Sequence, residues 1–337
     1  MKFAIIGTTS WGTTLGIMLA KRGENVYLLA QTPEEAERLN RERQNAKYTP
    51  GQTFLPSLNA TASVEDACRG ADMTIIAVPS SRLRENAKKL KKALDPKTIL
   101  VSAVKGLEAE TGKRMSQLLA EELPTAFKER TCVLSGPNLS KEILLGLPAS
   151  TVLACRNTVI ATSGQHMLNS GTFRVYTNDD VTGVEFGGSL KNIIAIGAGI
   201  ADGLGMGNNA KASFISRGLA EITRLGVAAG AHPRTFAGLA GLGDLIATCE
   251  SKLSRNHYLG EQLAKGRKLD EIRSTMINTV EGVDTTRAAL ILAKRYKVEM
   301  PIAEATYRVL FEGVSPQKAM QELMNRTPRP ESENSEL

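Results

Sequence analysis

The sequence predicts an α/β domain built on a doubly wound parallel sheet of Rossmann type, followed by an all-α C-terminal domain. Three observations carry this. Up to about residue 180, short and fully apolar runs alternate with amphipathic stretches, as in parallel sheets covered by helices on both faces. Beyond that point the strand signal stops and helical periodicity alone remains. The first apolar run also ends in a Gly/Thr turn that opens directly into a helix, the place of a dinucleotide fingerprint.

The expected strands cover 2–6, 25–29, 73–78, 98–104, 132–135, 150–154 and 172–176. Each is apolar or β-branched, and several end at punctuating residues: Gly7, Pro79 and Gly136-Pro137. Helices are expected between them over 11–22, 33–45, 63–67, 81–94 and 113–123, the second with Pro33 at its first position. The helical half reads as 184–204, 210–229, 235–241, 256–265, 269–274, 285–296, 301–311 and 316–324. Ser315 before Pro316 is an N-cap signal for the last of these. The domain boundaries follow: 1–182 for dinucleotide binding, 183–325 for a helical substrate-binding domain, and 326–337 as a Pro-, Ser- and Glu-rich tail expected to be disordered. No internal repeat is visible.

Composition narrows the classes. Hydrophobic residues at 42% and charged residues at 23% are those of a soluble globular protein. The net charge of +7 suits anionic ligands. Nucleic-acid binding is not expected, because basic residues are interleaved with acidic ones and the one dense run, Lys88–Lys92, reads as a solvated helix face. The four cysteines form no CxxC, and the three histidines are scattered, so no metal site is expected. The cysteines read as buried, reduced thiols of a cytoplasmic enzyme. MKFAIIG is too short for a signal-peptide core, and no run of about 18 apolar residues suggests a membrane span.

The turn after the first strand is Gly7-Thr8-Thr9-Ser10-Trp11-Gly12. It keeps the first and third fingerprint glycines but carries Thr9 at the second, where a Cβ tightens the approach of a pyrophosphate. The helix N-terminus and the Ser10 and threonine hydroxyls still offer donors to a phosphate. After the second strand comes Ala30-Gln31-Thr32-Pro33-Glu34-Glu35. Neither an acid for a ribose 2′-OH nor an Arg for a 2′-phosphate stands at the strand end, and Gln31 could tolerate both cofactors. Glu34 and Glu35 read as first-turn helix acids rather than ribose ligands.

One charge stands out in the helical half. Between Phe186 and Ala201 the only charged residue is Lys191, on a Gly/Ala-rich helix that reads as packed. An ammonium is costly to desolvate, and burial would lower its pKa toward the range of proton exchange. Snorkelling to the surface is the plain alternative for an isolated lysine. Asn192, Lys105 in SAVKGLE and the Ser254-Arg255-Asn256 tripeptide keep it company.

The blocks GTTSWGTTL, SAVKGLE, SGPNLSKE, RVYTNDDVTGVEFGGSLKNIIAIGAGIADGLGMGNNAKASFISRGLAEI, GLAGLGDLIATCESKLSRNHYLG and NTVEGV resemble the bacterial-type NAD(P)-dependent sn-glycerol-3-phosphate dehydrogenase family, from Met1 to about Met324. The family pattern GAGSWGTALA and its frequent Arg after the second strand make Thr8–Thr9 and Gln31 departures. The resemblance implies reversible reduction of dihydroxyacetone phosphate to glycerol 3-phosphate with NADH or NADPH and without a metal, feeding glycerophospholipid synthesis in the cytoplasm. It also implies a homodimer. It makes Lys191 the proton donor, Lys105 the partner that steadies the developing alkoxide, Asp244 the orienting carboxylate and Thr248 a member of their network. Ser254, Arg255 and Asn256 would hold the substrate phosphate, with Gly136 and Asn138 approaching the substrate from the sheet side. Gly7, Ser10, Trp11, Gly12, Gln31, Tyr48, Lys105, Ser140, Arg255 and Glu281 would contact the cofactor. Two alternatives share parts of this pattern: a silent dinucleotide-binding regulator, suggested by Thr9, and a related 3-hydroxyacid or ketopantoate reductase.

Overall fold

Alternation along the strands sets the architecture of the first half. The computed structural model describes residues 1–276, 279–328 and 330–331. In β1 (Lys2–Ile6), Phe3 and Ile5 join one apolar cluster while Ala4 and Ile6 join another on the opposite side. In β4 (Met73–Ile76), Met73 and Ile75 go with the first cluster and Ile76 with the second. Both faces are therefore buried, which is why these strands read as unbroken apolar runs. The remaining strands are β2 (Asn25–Leu29), β3 (Leu58–Thr61), β5 (Ile99–Ser102), β6 (Thr131–Ser135), β7 (Ala149–Ala154) and β8 (Phe173–Asn178). Their order is β3-β2-β1-β4-β5-β6-β7-β8, so the sheet reverses direction of growth between β1 and β4.

The sheet departs from the expected all-parallel form at one pairing. β6 and β7 are antiparallel, and β8 then pairs parallel with β7. The connection between β6 and β7 holds only α6 (Ser140–Leu144), and the chain returns beside β6 instead of crossing the sheet. β3 and α7 (Thr158–Leu168) were not anticipated either. β3 is a short, half-polar edge strand, and α7 opens on β-branched residues of low helix propensity. The other helices of this half are α1 (Ser10–Lys21), α2 (Pro33–Glu42), α3 (Val64–Cys68), α4 (Leu83–Leu90) and α5 (Met115–Glu122).

The second half is wound around α8 (Val181–Gly203), buried along nearly its whole length. A helix apolar on every side belongs inside a bundle. Around it lie α9 (Gly207–Ala228), α11 (Asp244–Glu250), α12 (Arg255–Ala264), α14 (Glu281–Tyr296) and α15 (Pro301–Phe311). α10 (Pro233–Phe236), α13 (Leu269–Ser274) and α16 (Pro316–Met324) complete the described elements. The helix expected over 235–241 is interrupted: α10 stops at Phe236, and Leu239–Gly243 forms a π-turn that leads into Asp244. Gly238, Gly241 and Gly243 weaken the α-helix there. The tail expected over 326–337 lies largely outside the described residues, and those that are described hold neither helix nor strand.

Two contacts set the site. Glu185 of α8, itself buried, accepts hydrogen bonds from Ser116 N (2.7 Å) and Ser116 Oγ (2.6 Å) and pairs with the Arg114 guanidinium. This fixes α8 against the start of α5 and joins the two halves. α12 meanwhile lies backbone to backbone on α8. A Cβ on Gly260 would stand 2.0 Å from Ile196 O, and one on Gly199 would stand 2.0 Å from His257 O. Gly260→Ala must push the helices apart. A loss of about 1–3 kcal/mol is expected, from the typical cost of overpacking, read as a lower thermal midpoint.

Candidate active site

The carboxyl ends of the strands and the flank of α8 enclose a cavity of about 480 Å³. It opens beside the β1/β4 reversal, the usual ligand crevice of an open α/β sheet. Lys105 enters from the segment after β5, Lys191 from α8 and Thr248 from α11.

Asp244, the first residue of α11, ties these together from behind. Its Oδ2 accepts from Lys105 Nζ at 2.7 Å, and its Oδ1 accepts from Lys191 Nζ. Lys105 also donates to Gly136 O (2.8 Å). Lys191 also donates to Thr248 Oγ1 (2.6 Å), whose own proton goes to Asp244 O (2.6 Å). An ammonium has three protons. Each lysine thus commits two to protein acceptors and keeps one for whatever enters the cavity that both line. Lys191 is only 5% exposed, so it does not snorkel. Burial, the largest influence, together with the Lys105 charge, lowers its pKa to about 8 against the opposing pull of Asp244.

The α12 end supplies a second group. Ser254 caps α12, its Oγ accepting from His257 N (3.2 Å). Asn256 Nδ2 donates to Asn192 Oδ1 (2.8 Å), and Asn256 Oδ1 accepts from Gly282 N (3.0 Å), locking α8, α12 and α14 together. Arg255 donates through Nη1 to Thr279 O (2.9 Å) and lines the cavity. These residues combine a helix N-terminus, a guanidinium and two amides, a donor set suited to a phosphate.

On the sheet side, Thr9, Ser10 and Trp11 line the cavity at the start of α1. Thr9 is the N-cap: its Oγ1 accepts from Gly12 N (3.1 Å) and donates to Ala77 O (2.6 Å). Its φ of −67° is ordinary extended backbone, so the position does not require glycine. Gly7 and Gly12 are different. Gly7 sits at φ +109°, and a Cβ on Gly12 would stand 2.2 Å from Gly7 O. Trp11 Nε1 and Asn138 Oδ1 are buried without a hydrogen-bond partner among the described residues, and both residues line the cavity. This glycine-dependent turn, its helix N-terminus and two orphaned polar atoms fit a dinucleotide.

Tyr48, Ser140 and Glu281 also line the cavity. Glu281 accepts from Ser80 N (3.1 Å) and from Ser80 Oγ, bridging the halves. Burial raises its carboxyl pKa, against those hydrogen bonds and the Arg255 charge. Gly7, Gly12, Gly136, Gln31 and Asp244 do not line the cavity; the glycines shape turns, Asp244 stands behind the lysines, and Gln31 is exposed. Sequence reasoning overlooked Ser80, Lys141 and Thr279. For Ser80 a signal was available, since it follows β4 at the reversal point.

Among the described residues, no helix is long and apolar enough to cross a membrane, and no group of three or more His, Cys, Asp or Glu could hold a metal ion. All four cysteines are free and buried.

Comparison with known proteins gives the same family for both halves. The model of the NAD-dependent glycerol-3-phosphate dehydrogenase N-terminus matches residues 2–161, and that of the C-terminus matches residues 180–321. A glycerol-3-phosphate dehydrogenase (NAD(P)+) of Dehalococcoides mccartyi is 52% identical over 324 residues, 96% of this chain and 90% of the relative. One from Streptomyces avermitilis is 46% identical over 331 residues, 98% of each. The crystal structure of glycerol-3-phosphate dehydrogenase from Coxiella burnetii superposes with a TM-score of 0.91 at 36% identity, covering 96% of this chain and 99% of that one. A ketopantoate reductase from Ralstonia eutropha, at 15% identity and a TM-score of 0.60, shares the fold alone.

Proposed function

The chain belongs to the NAD-dependent glycerol-3-phosphate dehydrogenase family, and from that premise we propose how its cleft works on dihydroxyacetone phosphate. It is an NAD(P)-dependent oxidoreductase acting on a CH–OH group. The observation that carries the proposal is Asp244 bridging two ammoniums that line one cavity.

NAD(P)H supplies the hydride for C2 of the ketone. Lys191 gives its free proton to the carbonyl oxygen as charge develops there. Lys105 turns its own free N–H to the same oxygens and stabilises the alkoxide. Asp244 and Thr248 aim Lys191, and Gly136 O with Asp244 aims Lys105. Arg255, the Ser254-capped start of α12 and Asn256 hold the phosphate. Gly136 and Asn138 support the substrate from the sheet side. Gly7, Ser10, Trp11, Gly12, Tyr48 and Ser140 hold the cofactor, with Gln31, Lys105, Arg255 and Glu281 at its edges. The test is oxidation of NADH and NADPH followed by absorbance, with dihydroxyacetone phosphate beside dihydroxyacetone. Turnover that depends on the phosphate is expected, and equal rates with the two ketones would overturn the phosphate assignment.

The pH dependence follows from Lys191. Ketone reduction needs the ammonium, so its kcat/KM should hold below about pH 8 and fall about tenfold per unit above it. Oxidation of glycerol 3-phosphate needs the neutral amine, so its rate should climb through the same pH. Paired pH–rate profiles in the two directions check the opposite signs.

The proposed boundaries of the two units remain 1–182 and 183–325; the end of the sheet at Asn178 and the start of α8 at Val181 support them. Four free thiols and a pyridine-nucleotide reaction support a cytoplasmic location. We place the protein as a homodimer on family resemblance. Light scattering is expected to give twice 36.2 kDa.

A further inference from the structure

We infer that Glu35 makes this enzyme prefer NADH over NADPH. The inference rests on the reading of the β1–α1 turn as the dinucleotide site. Glu35 lies in the first turn of α2, and its side chain folds back over the sheet. Its Oε1 accepts from Thr8 Oγ1 (2.7 Å), two residues past β1, and its Oε2 accepts from Gln31 N (2.9 Å), two residues past β2. The carboxylate is thus pinned across the turns after the two strands. In dinucleotide-binding sheets an acid about 20 residues beyond the glycine turn takes the ribose 2′-OH at the end of the second strand. Glu35 is 23 positions past Gly12. No acid stands at the strand end in sequence, yet the helix returns one to that place.

The site keeps room for a diol. A carboxylate offers about four lone-pair sites, and Thr8 and Gln31 occupy one on each oxygen. Thr8 is itself held firmly, buried, with its carbonyl accepting from Asn45 Nδ2 at 2.8 Å. The family departure at Thr8 and the acid at Glu35 are therefore one device, since an alanine at position 8 could not anchor the carboxylate.

The same surroundings reject a 2′-phosphate. A helix N-terminus could attract one through its amides, but those of α2 are taken. Pro33 has none, Glu35 N donates to Thr32 Oγ1 (3.2 Å), and the Glu34 carboxylate accepts from its own amide. The stretch from Ala30 to Glu35 contains no Lys or Arg to pair with the added charge, and it carries two carboxylates. A 2′-phosphate there would face like charge without a compensating fork.

Calorimetric titration of the full chain with NADH and with NADPH tests this without turnover. The parent protein is expected to bind NADH at least about tenfold more tightly, the usual effect of a hydrogen bond to a charged group. Glu35→Gln, which keeps the shape and removes the charge, should bring the two dissociation constants within about threefold. NADPH binding as tight as NADH in the parent, or an unchanged ratio in the variant, would overturn the inference while leaving the enzyme's activity intact. Binding of neither nucleotide would instead overturn the dinucleotide site and this inference with it. The parent ratio decides even if the variant does not fold.

Discussion

Lys191→Ala is expected to lower kcat for ketone reduction about a thousandfold while leaving KM for dihydroxyacetone phosphate within a few fold. A positioned general acid typically contributes 10²–10⁴, and Lys191 is placed here to give its proton only as the oxygen becomes an alkoxide. An interaction realised in the transition state appears in kcat. The substrate phosphate is assigned to α12, so binding should survive. The fold should survive as well, because the buried Asp244 keeps Lys105 as its counter-ion. The pH profile gives an independent reading. The descending limb near pH 8 in the parent should vanish in the variant. Partial recovery with added methylamine would mark the missing group as a proton donor. A variant that kept most of its turnover, with the limb still present, would move the acid elsewhere, Lys105 being the next choice.

Arg255→Ala is expected to act on the other axis. KM for dihydroxyacetone phosphate should rise about thirtyfold or more, equivalent to about 2 kcal/mol for a charge-assisted phosphate contact. Activity with unphosphorylated dihydroxyacetone should hardly change, since that ketone never uses the guanidinium. The comparison separates phosphate recognition from a general loosening of the cleft. Loss of the Thr279 contact would affect both substrates equally. Arg255→Lys should recover only part of the loss, because a point charge replaces a planar fork.

The two sites differ in how visible they are without coordinates. Lys191 could be picked out as the one charge in an apolar helix, and the structure finds it buried and paired. The parallel strands of the first half were readable because burial on both faces leaves no polar positions to blur them. β3 was not, since an edge strand of four residues with Asn59 and Thr61 partly exposed has no such run. The reversal at β7 depends on where a connection packs, which local pattern does not encode. Ser80 and Glu281 lie 201 residues apart, and only the approach of the two halves brings them together. Glu35 read as a helix acid because its first-turn position is real, while its partners Thr8 and Gln31 come from two separate turns.

The carboxylate shared by Lys105 and Lys191 has a mechanical meaning. Lys105 is carried by the sheet, whereas Lys191 and Asp244 are carried by the helical bundle. Lys105 is one of the charges that keep Lys191 acidic. Drawing the halves apart would remove that charge and let the proton affinity of Lys191 climb, weakening it as an acid. The acidity of one lysine is therefore a gauge of the gap between two bodies. A change far from the cavity, such as severing Glu185 from Arg114 and Ser116, should be legible as a displaced inflection in the pH profile before any loss of substrate binding.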